Sequence, residues 1–263
     1  MRYDLIIIGT DLKVPIFTEI FKDCSARIAI IGEPPSAIKE LKNIEVFTAP
    51  FELLDYRNRL FGCYLEGGIR LFSTTILVAM GTKNIPLLCK NKQVPNAYYD
   101  SKSLPKNHKE SQAVILGSSQ KCLRLALDLS KKFRYLYLCT ETFDLQGTDK
   151  QKARLEACKN VVVLPGAKLL SVTTKNGTLQ SIELDTYSTI TCSAVYADTP
   201  TIPATRGIPV KFFNLSPDKF LITTPSGEST IIPSLFATGS CCAENNPAEL
   251  VYKTILTTIG GKE

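Results

Sequence analysis

Two stretches of the chain repeat one hydrophobic rhythm. In the first, the unbroken apolar run Leu5-Ile6-Ile7-Ile8 ends at Gly9. Ile16, Phe17, Ile20 and Phe21 then recur at helical spacing between Pro15 and Lys22, and a second run from Arg27 to Ile31 stops at Gly32-Glu33. In the second, Ala113-Val114-Ile115-Leu116 ends at Gly117. A helical pattern follows from Lys121 to Lys132, with Leu123, Leu125, Leu127 and Leu129 among its apolar positions, and Tyr135 to Cys139 closes the unit. Short continuous apolar runs predict strands buried on both faces. Strand-helix-strand order predicts parallel pairing through a right-handed crossover.

A different grammar follows each unit. Short β-like runs occur at Ile44-Phe47, Tyr64-Glu66, Arg70-Phe72 and Ile76-Ala79, and again at Val161-Leu164, Leu169-Thr173, Ser181-Leu184 and Ala194-Ala197. Turn signals such as Asn176-Gly177 separate them, which predicts small antiparallel layers. The tail offers Phe220-Thr223, the run Leu235-Phe236-Ala237 before Thr238-Gly239, and a last helix from Pro247 to about Thr258 ending at Gly260-Gly261. This stretch is expected to return to the first sheet.

A chain of 263 residues that is 44% apolar can bury one or two cores, and no apolar run approaches the roughly 20 residues that span a bilayer. The nine cysteines are scattered and contain no Cys-x-x-Cys, which argues for free thiols, no zinc site and a reducing, cytoplasmic location. Net charge is +6, but Lys83 to Arg134 holds eleven basic and three acidic residues, a local +8. Such a segment is either a solvated lysine-rich surface or a footprint for an anionic partner such as RNA. The candidate polyanion contacts are Lys102, Lys106, Lys109, Lys131, Lys132 and Arg134.

Four motifs occur in one order. They are Tyr3-Asp4-Leu5-Ile6-Ile7-Ile8-Gly9, Thr75 to Thr82, Ala113 to Ser119, and Leu235-Phe236-Ala237-Thr238-Gly239-Ser240. In that order they resemble the thioredoxin reductase branch of the pyridine nucleotide–disulfide oxidoreductases. They match its opening flavin strand, its A-T-G turn, its inserted pyridine nucleotide domain and its F-A-x-G-D motif. The resemblance implies an α/β fold of two Rossmann-like domains of the FAD/NAD(P)-binding type, the second inserted in the first, each with a small antiparallel β layer. The expected boundaries are 1–106 plus 196–263 for the flavin-type domain and 107–195 for the nucleotide-type domain. It also implies cofactor-facing positions at Gly9, Glu33, Thr82, Gly117 and Gly239.

The chain departs from that pattern where the chemistry resides. The family's G-x-G-x-x-G fingerprint admits a pyrophosphate and packs helix on strand. Here its three glycine positions read Gly9, Asp11 and Val14 in the first unit, with Pro15 removing a nearby amide, and Gly117, Ser119 and Cys122 in the second. Glu141 stands where basic residues would meet the 2′-phosphate of NADPH. The redox Cys-x-x-Cys is absent from the corresponding stretch Val94-Asp100, and the F-A-x-G-D aspartate is Ser240. The segment before Thr75 is also short for a flavin-contacting loop. His108, the one histidine, sits in a polar lysine-rich linker and suits a surface role better than a general base.

These departures lead to the expectation of a catalytically inactive, pseudoenzyme-like reductase relative that serves as a binding or structural module. It should need no cofactor and no membrane, and should work with a protein or RNA–protein partner such as the ribosome. A homodimer is left open. The alternative is a divergent FAD-dependent disulfide oxidoreductase with an electron donor other than NADPH.

Overall fold

The computed structural model describes residues 1–101, 103, 111–186 and 189–260. Its principal helices are α1 (Val14–Phe21), α2 (Gln120–Leu129), α3 (Asp149–Glu156) and α4 (Ala248–Gly260). The longer strands of its two parallel sheets are β1 (Leu5–Ile8), β2 (Ile28–Ile31), β3 (Ile44–Phe47), β4 (Ile76–Val78), β5 (Gln112–Leu116), β6 (Tyr135–Thr140), β7 (Val161–Pro165), β8 (Ala194–Ala197) and β9 (Leu235–Ala237). The chain divides into two compact units, Met1–Lys83 with Thr201–Glu263, and Asn84–Pro200.

In the first unit the parallel order is β9-β4-β1-β2-β3. Leu235 pairs with Ile76, so the C-terminal stretch completes the sheet that Leu5 begins. Successive side chains of β1 feed opposite layers, as the period of a strand dictates. Leu5 and Ile7 pack with Phe17 and Phe21 of α1 and with Val251, Tyr252 and Ile255 of α4. Ile6 and Ile8 pack with Leu54, Phe61, Cys63 and Leu71 of the opposite layer. That layer is the antiparallel set Phe51–Arg57, Leu60–Leu65 and Ile69–Ser73, with Arg2–Tyr3 added parallel at one side. Asn58 and Arg59, with φ of 52° and 62°, make its first hairpin turn.

The second unit repeats the plan. Its parallel order is Ala97–Tyr98, then β8-β5-β6-β7. Ala113 and Ile115 face Leu123, Ala126 and Leu129 of α2, while Val114, beside Val195 of β8, faces Leu179 and Ile182 of the meander Leu169–Lys175, Thr178–Leu184 and Ile190–Thr191. The helix α3, absent from the hydrophobic reading, starts at a capping box in which Thr148 and Gln151 satisfy each other's backbone amides.

The division falls elsewhere than expected. The boundary lies after Lys83 rather than at 106, and at Pro200 rather than 195. Hydrogen bonding explains the shift. Ala97 and Tyr98 pair with Val195 and Tyr196, Leu88–Cys89 pairs with Lys92–Gln93, and the Cys89 thiol donates to the Leu170 carbonyl at 3.4 Å. Residues 84–100 therefore belong to the second unit.

Phe17 is fully buried, stacked on Phe21 at 4.6 Å between ring centroids and edge-on to Tyr252 at 5.5 Å. Phe17→Ala is expected to cost about 3–5 kcal/mol. Urea unfolding followed by circular dichroism should show that loss as a lower midpoint with an unchanged slope.

Candidate functional site

Both parallel sheets present the loop after their first strand at the carboxyl ends of the strands, where open α/β sheets bind ligands. In the first unit this loop is closed on itself. Gly9 has φ of 95°, and a Cβ there would stand 2.3 Å from the Ala79 carbonyl oxygen, so the sharp turn and the close approach to β4 both require glycine. Four of the loop's amides are already bonded within the chain. Gly9 N–H donates to Ile31, Asp11 to Ala79 and Leu12 to Thr10, all through carbonyl oxygens at 2.8–2.9 Å. Lys13 N–H donates to the Tyr252 hydroxyl at 3.1 Å. Pro15 has no amide to offer, and Val14 packs into the helical core.

Asp11 completes the closure. Its Oδ2 accepts from the Ser240 amide at 2.7 Å and from the Ser240 hydroxyl at 2.8 Å. Gly239, with φ of 81°, makes room for it: a Cβ at that position would lie 2.5 Å from the same oxygen. An amide at the start of a helical turn, paired with a hydroxyl, is the donor set that an anion seeks. Here the anion is the chain's own carboxylate. The resemblance implied glycine at 11 and aspartate at 240, so the acid and its small partner have exchanged sides of the loop. A cavity of about 340 Å³ remains beside this contact, lined in part by Asp11, Lys13, Ser240, Cys242 and Asn246.

The second unit has the same device in another form. Gly117 has φ of 135° and packs against Cys122, whose sulfur would lie 2.8 Å from an added Cβ. Ser119 caps α2, accepting from the Cys122 amide at 3.3 Å, and donates its hydroxyl to Asp198. The other oxygen of Asp198 pairs with Lys121 Nζ at 3.1 Å. The cation and hydroxyl at the head of α2 thus already serve a carboxylate. The adjoining cavity holds about 600 Å³, with Leu87, Leu116 and Leu169 among its apolar walls and exposed Glu141 among its polar ones.

The sequence-derived positions are therefore only partly brought together. Gly9 and Gly239 flank the closed loop of the first unit, and Gly117 lines the cavity of the second. Glu33 is exposed at the end of β2 and lines none of these cavities; Thr82 lies in the short strand Thr82–Asn84, paired with Thr201–Pro203. Lys131, Lys132 and Arg134 are exposed, whereas Lys102, Lys106, Lys109 and His108 lie outside the described residues. Asp198 and Tyr252 were missed. Asp198 had a signal, being the first residue beyond a strand that ends at the ligand-binding edge of a parallel sheet. The capping role of Tyr252 had none, because it joins positions 239 residues apart.

All nine cysteines are free thiols, seven of them buried. Burial pushes Cys139 and Cys192 up to about 12, with Cys192 adding to the effect at Cys139. In the adjacent pair, a thiol–thiol hydrogen bond lowers Cys241 and raises Cys242. A thiol held neutral by burial is a poor nucleophile. Among the described residues no cluster of His, Cys, Asp and Glu could hold a metal ion, and no helix is long and apolar enough to cross a membrane.

No protein-family model and no curated protein sequence matches the chain. Its structure, however, is similar to solved flavoprotein reductases over nearly the whole length. Thioredoxin reductase of Lactococcus lactis in its FR conformation aligns with a TM-score of 0.76 at 10% identity, covering 98% of this chain and 97% of that one. Thioredoxin reductase of T. acidophilum aligns with a TM-score of 0.73 at 11% identity over 98% and 96% of the two chains. Bacillithiol disulfide reductase of Staphylococcus aureus aligns with a TM-score of 0.72 at 12% identity over the full length of both. At such identities the likeness speaks for the fold alone, and the chain has the thioredoxin reductase fold of two Rossmann-like units.

Proposed function

We propose that the chain is a reductase-fold protein without redox chemistry, which serves as a binding or structural module, and that its partner is an RNA–protein assembly such as the ribosome. The observation that carries the first part is the Asp11–Ser240 contact. A dinucleotide entering the first unit would set its phosphates against Asp11, with the amides of Asp11, Leu12 and Lys13 already bonded elsewhere. The residues present do not fit FAD, so no catalytic step is assigned to this chain. The second cleft supports the same reading, because Asp198 takes up Ser119 and Lys121 and Glu141 opposes a 2′-phosphate. The nine free thiols suit a reducing cytoplasm, and the +8 segment supplies the electrostatic case for an RNA-containing partner.

The second reading keeps the chain as a divergent FAD-dependent disulfide oxidoreductase supplied by a donor other than NADPH. It is favoured by the full-length likeness to solved flavoprotein reductases and by the retained Gly9 and Gly239.

The purified protein should be colourless between 300 and 600 nm; a stoichiometric flavin band would move it to the second reading. The variant Asp11→Gly with Val14→Gly should also fail to take up FAD in a fluorescence titration. Lifting the repulsion between unit charges about 4 Å apart returns roughly 1–4 kcal/mol. Micromolar affinity needs about 8 kcal/mol in all. Micromolar binding by that double variant would show that two substitutions suffice to reopen the site. With a maleimide probe at neutral pH, Cys24 and Cys158, the two cysteines that are not buried, should label within minutes. The remainder should wait for denaturant, and rapid labelling of Cys241 or Cys242 in the folded protein would count for an active thiol pair.

A further inference from the structure

The basic side chains of the second unit are not spread over it evenly. Strands β5, β6 and β7 run parallel, so the chain enters all three on the edge opposite the cleft, about 17 Å away along a strand of five or six residues. The residues at the three points of entry are tied together there. Asn160 Nδ2 donates to the carbonyls of Ser130 at 2.7 Å and Phe133 at 3.0 Å, and the Arg134 amide donates to the Ser111 carbonyl at 3.0 Å. Lys131, Lys132 and Arg134 on the α2–β6 loop are thereby held beside Lys159 on the α3–β7 loop, and all four are exposed. Lys132 Nζ reaches the Ser101 carbonyl at 3.4 Å, at the chain entering the lysine-rich linker. Among the described residues none of the four makes an ion pair, in contrast to Lys121. The acids near the carboxyl ends of the adjoining helices are Asp128 of α2 and Glu156 of α3, both exposed, so the rim keeps a net positive charge.

One exposed aromatic residue stands in this rim. Tyr135 is 40% exposed, and the Arg134 guanidinium lies over its ring at 5.7 Å from the centroid. A cation for the backbone beside a ring for a base is the pairing by which single-stranded nucleic acids are held. Lysine and arginine at helix carboxyl ends also complement the helix dipole, which accounts for their presence near α2. It does not account for a half-exposed tyrosine among them.

We propose that this edge of the second unit, Lys131, Lys132, Arg134 and Lys159 around Tyr135, binds single-stranded RNA. The proposal rests on the reading of the chain as a module for an RNA-containing partner and assigns the surface that makes the contact. It also sets that surface apart from the nucleotide cleft of the same unit.

The test is fluorescence anisotropy of the full chain with a labelled single-stranded oligoadenylate of about 15 nucleotides, repeated over a salt series. With three to four phosphates held, log K should fall by about 2 to 3 per decade of salt, about 0.7 for each phosphate. Lys131→Glu, Lys132→Glu and Arg134→Glu together should weaken binding at least tenfold. The same charge change placed on Lys22, Lys39 and Lys42 of the first unit, all exposed, should weaken it far less. Tyr135→Ala should weaken oligoadenylate at least fivefold and leave binding of inorganic polyphosphate unchanged. Thermal melting of each variant confirms that it is folded. Equal losses in the two triple variants would overturn the proposal, as would an unchanged affinity in the rim variant. Tighter binding to anionic vesicles than to RNA, lost with the same rim variant, would overturn it in favour of a membrane surface. A flavin band in the same sample would bear on the non-redox reading instead, and leaves this result to be judged separately.

Discussion

The Asp11 carboxylate on the amide and hydroxyl of Ser240 is the contact around which the first unit is arranged. Two segments 229 residues apart must meet for it to form. One is the turn after β1; the other is the turn after β9, which reaches β1 only by way of β4. The whole parallel sheet therefore stands behind one charge-assisted pair. The glycines at 9 and 239 admit it, since a Cβ at either would collide with backbone or with Asp11 itself. An anion held by the protein in this way needs no ordering of a ligand to be in place, and it leaves a dinucleotide phosphate facing a like charge.

The second unit reaches the same end by different residues. There the acid comes from beyond β8 and the hydroxyl from the cap of α2, with Lys121 as countercharge. Two carboxylates from unrelated positions in the chain, one on the Gly239–Cys241 turn and one at the head of α2, turn anion-binding geometry inward. The scaffold around them keeps its layers because those depend on strand period and helix stripes, and neither involves the loops that carry the chemistry.

Much of the fold was legible. The runs Leu5–Ile8 and Ala113–Leu116 are apolar at every position because both faces of each strand are covered, and that pattern admits few other structures. What escaped was carried by other physics. Phe51–Arg57 is a strand with Glu52, Asp55 and Arg57 in it, ordered by its hairpin partner more than by its own pattern. Helix α3 has one buried residue, Leu155, and is announced by its cap rather than by a stripe. The unit boundary was misplaced because Ala97–Tyr98 joins the second sheet through backbone bonds that two residues cannot advertise.

The site was half legible. The sequence placed a carboxylate at position 11, and its charge and bulk carried the expectation that a pyrophosphate would be opposed there. Its partner did not, since a serine at 240 is an unremarkable residue until the two turns are brought together. Asp198 carried a signal in its place just beyond β8, but its pairing with Ser119 and Lys121 showed only in the fold.

The central claim is that Ser240 already has its anion. The direct measurement is the amide resonance of Ser240 in a ¹H–¹⁵N NMR spectrum as FAD is added to the wild-type protein. A carboxylate-bound amide should resonate downfield at the outset and hold its position through millimolar FAD. A saturable shift of that resonance in the micromolar range would mean that the phosphate displaces Asp11 and that the site is open.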